Sequence, residues 1–116
     1  MFTLELERYD NISVVRFHGD MTLASAVALR QHLEEMLKAT KSKDLALDLA
    51  DVQQVDNSGL GALVGACTRA RSWGKRLILF RPPSHVQCLL DTLEISGFFP
   101  ILEDEHDLTA RQFKRD

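Results

Sequence analysis

The chain has 116 residues, 45% hydrophobic and 27% charged, with a formal net charge of −3. That length fits one domain, residues 1–116, built on one core, and the mild acidity argues against a protein that neutralises phosphate backbones, so no direct nucleic-acid contact is expected. The apolar runs are too short to cross a bilayer, no basic-then-apolar leader follows Met1, and Cys67 and Cys88 read as unpaired thiols, so a cytoplasmic protein without membrane insertion is expected.

Residues 2–9 predict a first strand and Asp10-Asn11 a two-residue turn, though without the glycine of a strong hairpin signal. Val14, Val15 and Phe17 give strand content to residues 12–18, and Gly19-Asp20-Met21-Thr22 breaks the pattern. A helix is predicted over 24–39, with Val27, Leu29 or Arg30, Leu33, Met36 and Leu37 on its apolar stripe and Lys38 near its end, where a cation suits the helix dipole. A third strand, 44–49, leads through Asp56-Asn57-Ser58 into a helix over 58–72. Leu60, Leu63, Val64, Cys67 and Ala70 recur there at helical spacing and Gly74 follows as the C-terminal cap. A fourth strand spans 76–80 and is stopped by Pro82-Pro83. A helix over 84–93 follows, then a short strand over 99–102 and a last helix over 104–114. Strands alternating with helices of this length predict an α/β domain: one mixed, mostly parallel sheet of four to five strands with about four helices. Gly19–Thr22 and Asp56–Ser58 then fall past strand ends on one edge of the sheet, the edge where such folds carry function.

A strand, a tight polar turn and a helix hold the Ser58 hydroxyl at a helix N-terminus, where unpaired N–H groups favour an anion. That is suitable chemistry for a serine that becomes phosphorylated. Asp56, Asn57 and Ser58 are equally the residue types that simply turn a chain and cap a helix. Gly59 and Gly61 weaken helix propensity by roughly 1 kcal/mol each, so something compensates: tight packing, or close approach by a partner. A catalytic serine is a third reading. The turn lacks the glycine two residues before Ser58 that a nucleophile elbow requires, and His18, His32, His85 and His106 are scattered, with His18 alone near the same sheet edge. No phosphate-loop pattern, metal spacing or cofactor motif is present.

Asp48-Leu49 followed by Val55-Asp56-Asn57-Ser58-Gly59-Leu60-Gly61 resembles the D-L-(x)n-D-S-S-G-L-G signature of the STAS domain, which sulfate transporters share with bacterial anti-sigma factor antagonists. Gly19-Asp20-Met21-Thr22 is similar to the family's G-E-L-D turn, and Trp73-Gly74-Lys75-Arg76-Leu77 to its G-G-x-L connection. Val86, Leu89, Leu90, Leu93, Gly97, Phe98 and Ile101 follow its V-x-x-x-L-x-x-x-G-(L/F) pattern. The length resembles the stand-alone antagonists. The resemblance implies a non-enzymatic partner switch without a cofactor. The unphosphorylated chain binds an anti-sigma factor that is also a serine kinase of the histidine-kinase-like ATPase fold. Phosphorylation of Ser58 releases it, and a metal-dependent serine phosphatase restores the binding form. Asn57 replaces the signature's first serine, leaving Ser58 as the one acceptor in the motif. Thr22 replaces the final Asp of G-E-L-D, which puts a charged contact in doubt. The implied partner-binding set is Asp20, Thr22, Asp56, Asn57, Ser58, Gly59, Leu60 and Gly61, with Leu60 read as a core knob ahead of an exposed contact. A STAS subunit of a membrane transport ATPase assembly, and more remotely a serine hydrolase, are the competing functions.

Overall fold

The computed structural model describes residues 2–9 and 12–104. Its elements run β1 (Phe2–Tyr9), β2 (Ile12–Met21), α1 (Leu23–Ala39), β3 (Asp44–Val55), α2 (Asn57–Ser72), β4 (Arg76–Phe80), α3 (Ser84–Thr92) and β5 (Ile101–Leu102). A 3₁₀ turn at Ser96–Phe98 precedes β5. One sheet forms in the order β1-β2-β3-β4-β5, with β1 antiparallel to β2 and every other pair parallel. The mixed, mostly parallel α/β sheet agrees with the sequence expectation, and among the described residues it carries three α-helices. The turn expected at 10–11 and all but the first residue of the helix expected over 104–114 lie outside the described residues. None of the helices among the described residues is long and apolar enough to cross a membrane.

Two strands overrun their predicted ends. β2 continues three residues past His18, and β3 continues to Val55 rather than stopping at Leu49. The extensions pair with each other: His18 with Asp51, Gly19 with Val52 and Met21 with Val55, across two register shifts. Gly19 adopts φ 124°, a left-handed value that glycine tolerates, between the two irregularities. The far half of β3 hides itself in sequence because Ala50, Asp51, Gln53 and Gln54 are exposed, Val52 is its one fully buried side chain and Val55 only partly reaches the core.

Strand alternation sorts the interior into two layers. Val15, Phe17, Leu45, Leu47, Leu49, Leu77 and Leu79 face one side, where Leu29, Leu33 and Leu37 of α1, Leu60, Leu63, Cys67 and Ala70 of α2, and Val86 and Leu90 of α3 cover them. Ile12, Val14, Ala46, Ile78 and Phe80 form the layer on the opposite face. Asp44 and Asp48, 1% and 0% exposed, belong to that second face by register. Arg76 grips Asp44 through Nε and Nη2 at 2.9 and 3.0 Å. Arg81 Nη2 reaches Asp48 Oδ2 at 2.6 Å, and Arg16 Nε the same oxygen at 3.1 Å. Burial pushes the Asp48 carboxyl up. Hydrogen bonds from Arg81, the Ala50 N–H and Arg16 outweigh it and hold the group below the usual carboxylate range. Arg81 accepts a left-handed φ of 54° in a chain turn that serves this grip.

α1 departs from its predicted stripe at Val27, which is 72% exposed; Leu29, Leu33 and Leu37 are buried as expected, together with Ser25, and Met36 is partly buried. At its far end Lys75, the residue before β4, donates from Nζ to the carbonyls of Leu37 and Thr40, which satisfies the last turn of the helix.

Candidate functional site

β2 and β3 end side by side, Met21 opposite Val55, and each strand feeds a helix at once. The two polar turns that the sequence expected on one sheet edge are therefore in contact, with the Asp56 N–H donating to the Met21 carbonyl at 3.2 Å. Thr22 is the N-cap of α1. Its N–H donates to the Ser25 hydroxyl at 3.0 Å, and that hydroxyl in turn donates to the Asp20 carbonyl at 2.8 Å. Threonine and aspartate are both N-cap formers, which is why Thr22 fits a position where the family signature has Asp. The Asp20 carboxylate accepts the Gln54 N–H at 3.2 Å and ties the end of β2 to β3.

Asp56 is the N-cap of α2 and serves two helices. Its Oδ1 accepts the Gly59 N–H at 2.9 Å, and its Oδ2 accepts the Leu23 N–H at 3.1 Å, the first residue of α1. The Gly59 N–H is the main reason the Asp56 carboxyl is held below its ordinary value. Partial desolvation opposes it, and the Leu23 and Ser58 N–H groups add to it. One anion thus occupies the electropositive ends of both helices.

That arrangement frees Ser58. The helix begins at Asn57, one residue earlier than the sequence predicted, so Ser58 sits inside the first turn rather than at its cap. Its side chain is partly exposed, and its hydroxyl makes no hydrogen bond among the described residues. Asn57 beside it is exposed.

The two glycines of the turn do different jobs. A Cβ on Gly59 would come 1.9 Å from the Met21 carbonyl oxygen, so the close approach it permits is internal. Gly61 is exposed and a Cβ there would meet nothing within 4 Å. Gly59→Ala should therefore lose about 1–3 kcal/mol, because the neighbour is backbone and the overpacking cannot relax locally. Gly61→Ala should gain up to about 1 kcal/mol from helix propensity. Urea unfolding of the two variants checks this opposition of sign.

Leu60 takes the core position that sequence favoured over a direct contact: it is fully buried and packs among the core leucines, so its place in the implied partner-binding set is beneath the surface. His18 is also displaced from the role that sequence left open. It lies inside β2, with Nδ1 2.9 Å from Asp51 and Nε2 3.2 Å from Glu5, so its ring is engaged by two carboxylates. Two surface residues that sequence reasoning did not connect with this site are Leu23, whose N–H is bound by Asp56, and Val27 one turn on; both are 72% exposed on the first two turns of α1. Their signal was present: large apolar side chains off the stripe Leu29-Leu33-Leu37.

The family model described as the STAS domain matches residues 3–108. The anti-sigma F factor antagonist of Paenibacillus polymyxa is 25% identical over 101 residues, covering 85% of this chain and 82% of that one. An anti-sigma factor antagonist from Mycobacterium paratuberculosis superposes with a TM-score of 0.77 at 21% identity, over 95% of this chain and 93% of that one. The antagonist SpoIIAA matches in its unphosphorylated form with a TM-score of 0.76 at 16% identity, covering 98% of this chain and 99% of that one. Its phosphorylated Bacillus form gives 0.68 at 13% identity, covering 97% and 100%. At these identities the solved structures share the fold.

Proposed function

The chain belongs to the STAS domain family, and from that premise we propose that it is an anti-sigma factor antagonist whose docking is gated at Ser58. One observation carries the reading: Asp56 has taken over the capping of α2, which leaves a partly exposed serine hydroxyl unspent in the first helical turn. A structural capping serine would be committed to the backbone; this one is available for chemistry. The name of the Paenibacillus polymyxa relative and the existence of SpoIIAA in both phosphorylation states support the same direction.

In this reading the partner is an anti-sigma factor that is also a serine kinase. It docks on the surface formed by Asp20, Thr22, Asp56, Asn57, Ser58 and Gly61, with Leu23 and Val27 giving the apolar contact. Gly59 and Leu60 act from beneath, by fixing the turn. The Ser58 oxygen then attacks the γ-phosphorus of ATP, loses its proton to a base of the kinase, and ADP leaves. A metal-dependent serine phosphatase reverses the modification by hydrolysis.

The experiment is a pull-down with Ser58→Ala as bait, which keeps the surface and blocks release. It should recover a kinase of the histidine-kinase-like ATPase fold. That kinase with ATP should add one phosphoryl group to the wild-type chain, at Ser58, and none to Ser58→Ala. Recovery of a membrane ATPase with no phosphorylation overturns the reading in favour of a transport assembly. Labelling of Ser58 by a fluorophosphonate overturns it in favour of a hydrolase.

A further inference from the structure

Two short segments hold half of the chain's cations. Residues 38–43 and 69–76 contain Lys38, Lys41, Lys43, Arg69, Arg71, Lys75 and Arg76, seven of the fourteen Lys and Arg, and none of the seventeen Asp and Glu. The fold joins the two segments into one face. α1 and α2 both end there, and β3 and β4 both begin there. The Arg76 N–H donates to the Lys43 carbonyl at 2.8 Å, and Lys75 reaches across to the Leu37 and Thr40 carbonyls. This pole is the end of α2 remote from Ser58, with a sixteen-residue helix, about 24 Å, between them.

Most of that charge is uncancelled. Arg76 is matched by the buried Asp44. Lys75 and Arg71 spend their donors on neutral groups: Lys75 on two carbonyls, Arg71 on the Phe98 carbonyl at 2.6 Å, with its guanidinium 4.4 Å from the centre of the Phe98 ring. Lys38, Lys41, Lys43 and Arg69 are exposed and make no ion pair among the described residues. On α1, Glu34 and Glu35 stand about one turn before the pole, and Glu34 is paired with Arg30. α3 also returns to this end, as the parallel pairing of β4 with β5 requires, and brings Asp91 and Glu94, too few to offset six cations. Helix dipoles account for Lys38, Arg69 and Arg71 in the last turns of α1 and α2. They do not account for Lys41 and Lys43, which lie beyond the cap of α1.

Trp73, the chain's one tryptophan, stands among these cations. It is half-buried against the core, with Lys38 Nζ 5.5 Å and Arg69 Cζ 5.9 Å from its ring centre. A cation over an aromatic ring is fixed in direction and keeps its charge. Indole beside Lys and Arg is the combination that suits a bilayer interface, where the ring lies at headgroup level and the cations meet anionic phosphates. Single-stranded nucleic acid is held instead by several aromatic platforms along a groove, and this face offers one half-buried ring. We propose that the basic pole docks the chain on an anionic phospholipid surface, with Lys38, Lys41, Lys43 and Arg69 facing the headgroups and Trp73 among them. The turn that carries Ser58, at the other end of α2, then faces the solution. The inference does not rest on the role of Ser58.

The test is co-sedimentation of the whole chain with vesicles of phosphatidylcholine containing about one third phosphatidylglycerol, read together with Trp73 emission. The chain should sediment with these vesicles, should not do so with phosphatidylcholine alone, and should be released as salt rises. Each lysine at an anionic surface contributes about a five-fold factor, so a triple Lys38→Gln, Lys41→Gln, Lys43→Gln variant should bind about 100-fold more weakly. Its thermal midpoint should match the parent's, because the three side chains are exposed. Brominated phosphatidylcholine in the vesicles should quench the tryptophan. Ser58→Ala and Ser58→Asp should bind vesicles as the parent does, which separates this result from the partner-switch reading. Absence of sedimentation at low salt, parental binding by the triple variant, or emission indifferent to the brominated lipid overturns the proposal. Tighter binding to an acidic peptide or to a single-stranded oligonucleotide than to the vesicles also overturns it, and assigns the pole to a polymer partner.

Discussion

Asp48→Ala should unfold at a midpoint about 10–15 °C below the parent chain. The Asp48 side chain is 0% exposed, and it is the common anchor of Arg16 and Arg81. Deleting one partner of a buried ion pair leaves the others facing an uncompensated interior, a loss of about 3–5 kcal/mol. The low end applies here, because Arg16 and Arg81 are 30% and 38% exposed and can turn to water. The same carboxyl sets an acid dependence. Its folded pKa lies below the ordinary value of about 3.9, so the unfolded chain takes up this proton first as pH falls. The stability it contributes is complete above the unfolded pKa and is lost as pH drops through the folded one. Thermal scans from neutral pH down into the acid range below the ordinary carboxylate pKa should show the parent beginning to lose this increment and Asp48→Ala lacking that part of the slope. A variant midpoint within about 3 °C of the parent at neutral pH would show that the triad is dispensable.

Ser58→Asp should weaken the complex with the cognate kinase about 100-fold or more, equivalent to about 2.7 kcal/mol. The new carboxylate would stand in the first turn of α2, where Asp56 already supplies one negative charge against both helix starts. The helix itself tolerates an anion at that position by roughly 0.3–1 kcal/mol in its favour, so the fold should survive. The penalty falls on the interface, where an unmatched, desolvated charge costs several kcal/mol. Phosphoserine, with about −1.5 to −2 charge at neutral pH, should act more strongly. Titration calorimetry with wild type, Ser58→Ala and Ser58→Asp measures the effect. Equal affinity of wild type and Ser58→Asp would remove the electrostatic basis of the gate.

How much of this was readable in the chain depends on which force wrote each part. β1 and β4 end where their apolar patterns end, and α2 starts within one residue of its predicted start, because capping chemistry is local. The juxtaposition of Gly19–Thr22 with Asp56–Ser58 was legible from the parallel topology alone. The far end of β3 was not, since its pairing is with the equally irregular end of β2 and leaves Val52 and the partly buried Val55 as its large apolar marks. The second role of Asp56 was also hidden: its Leu23 contact spans 33 residues, and no local rule reports it. Asp48 did leave a trace, a charge at an inward register of a leucine-rich strand, but its partners Arg16 and Arg81 come from distant segments. The division between Gly59 and Gly61 required coordinates, because composition treats the two alike.

The anchoring of α1 at both ends has a consequence for how a signal could pass through this molecule. Asp56 pins its beginning and Lys75 clasps its last carbonyls, and both clamps come from the segment that contains α2. The pair should therefore ride on the sheet as one stiff plate. Amide exchange at Leu23 and Gly59 should slow or quicken in concert, since a single carboxylate guards both. Information written on such a plate is read from its surface by whatever lands there, and a rearrangement of the backbone is not needed to carry the message.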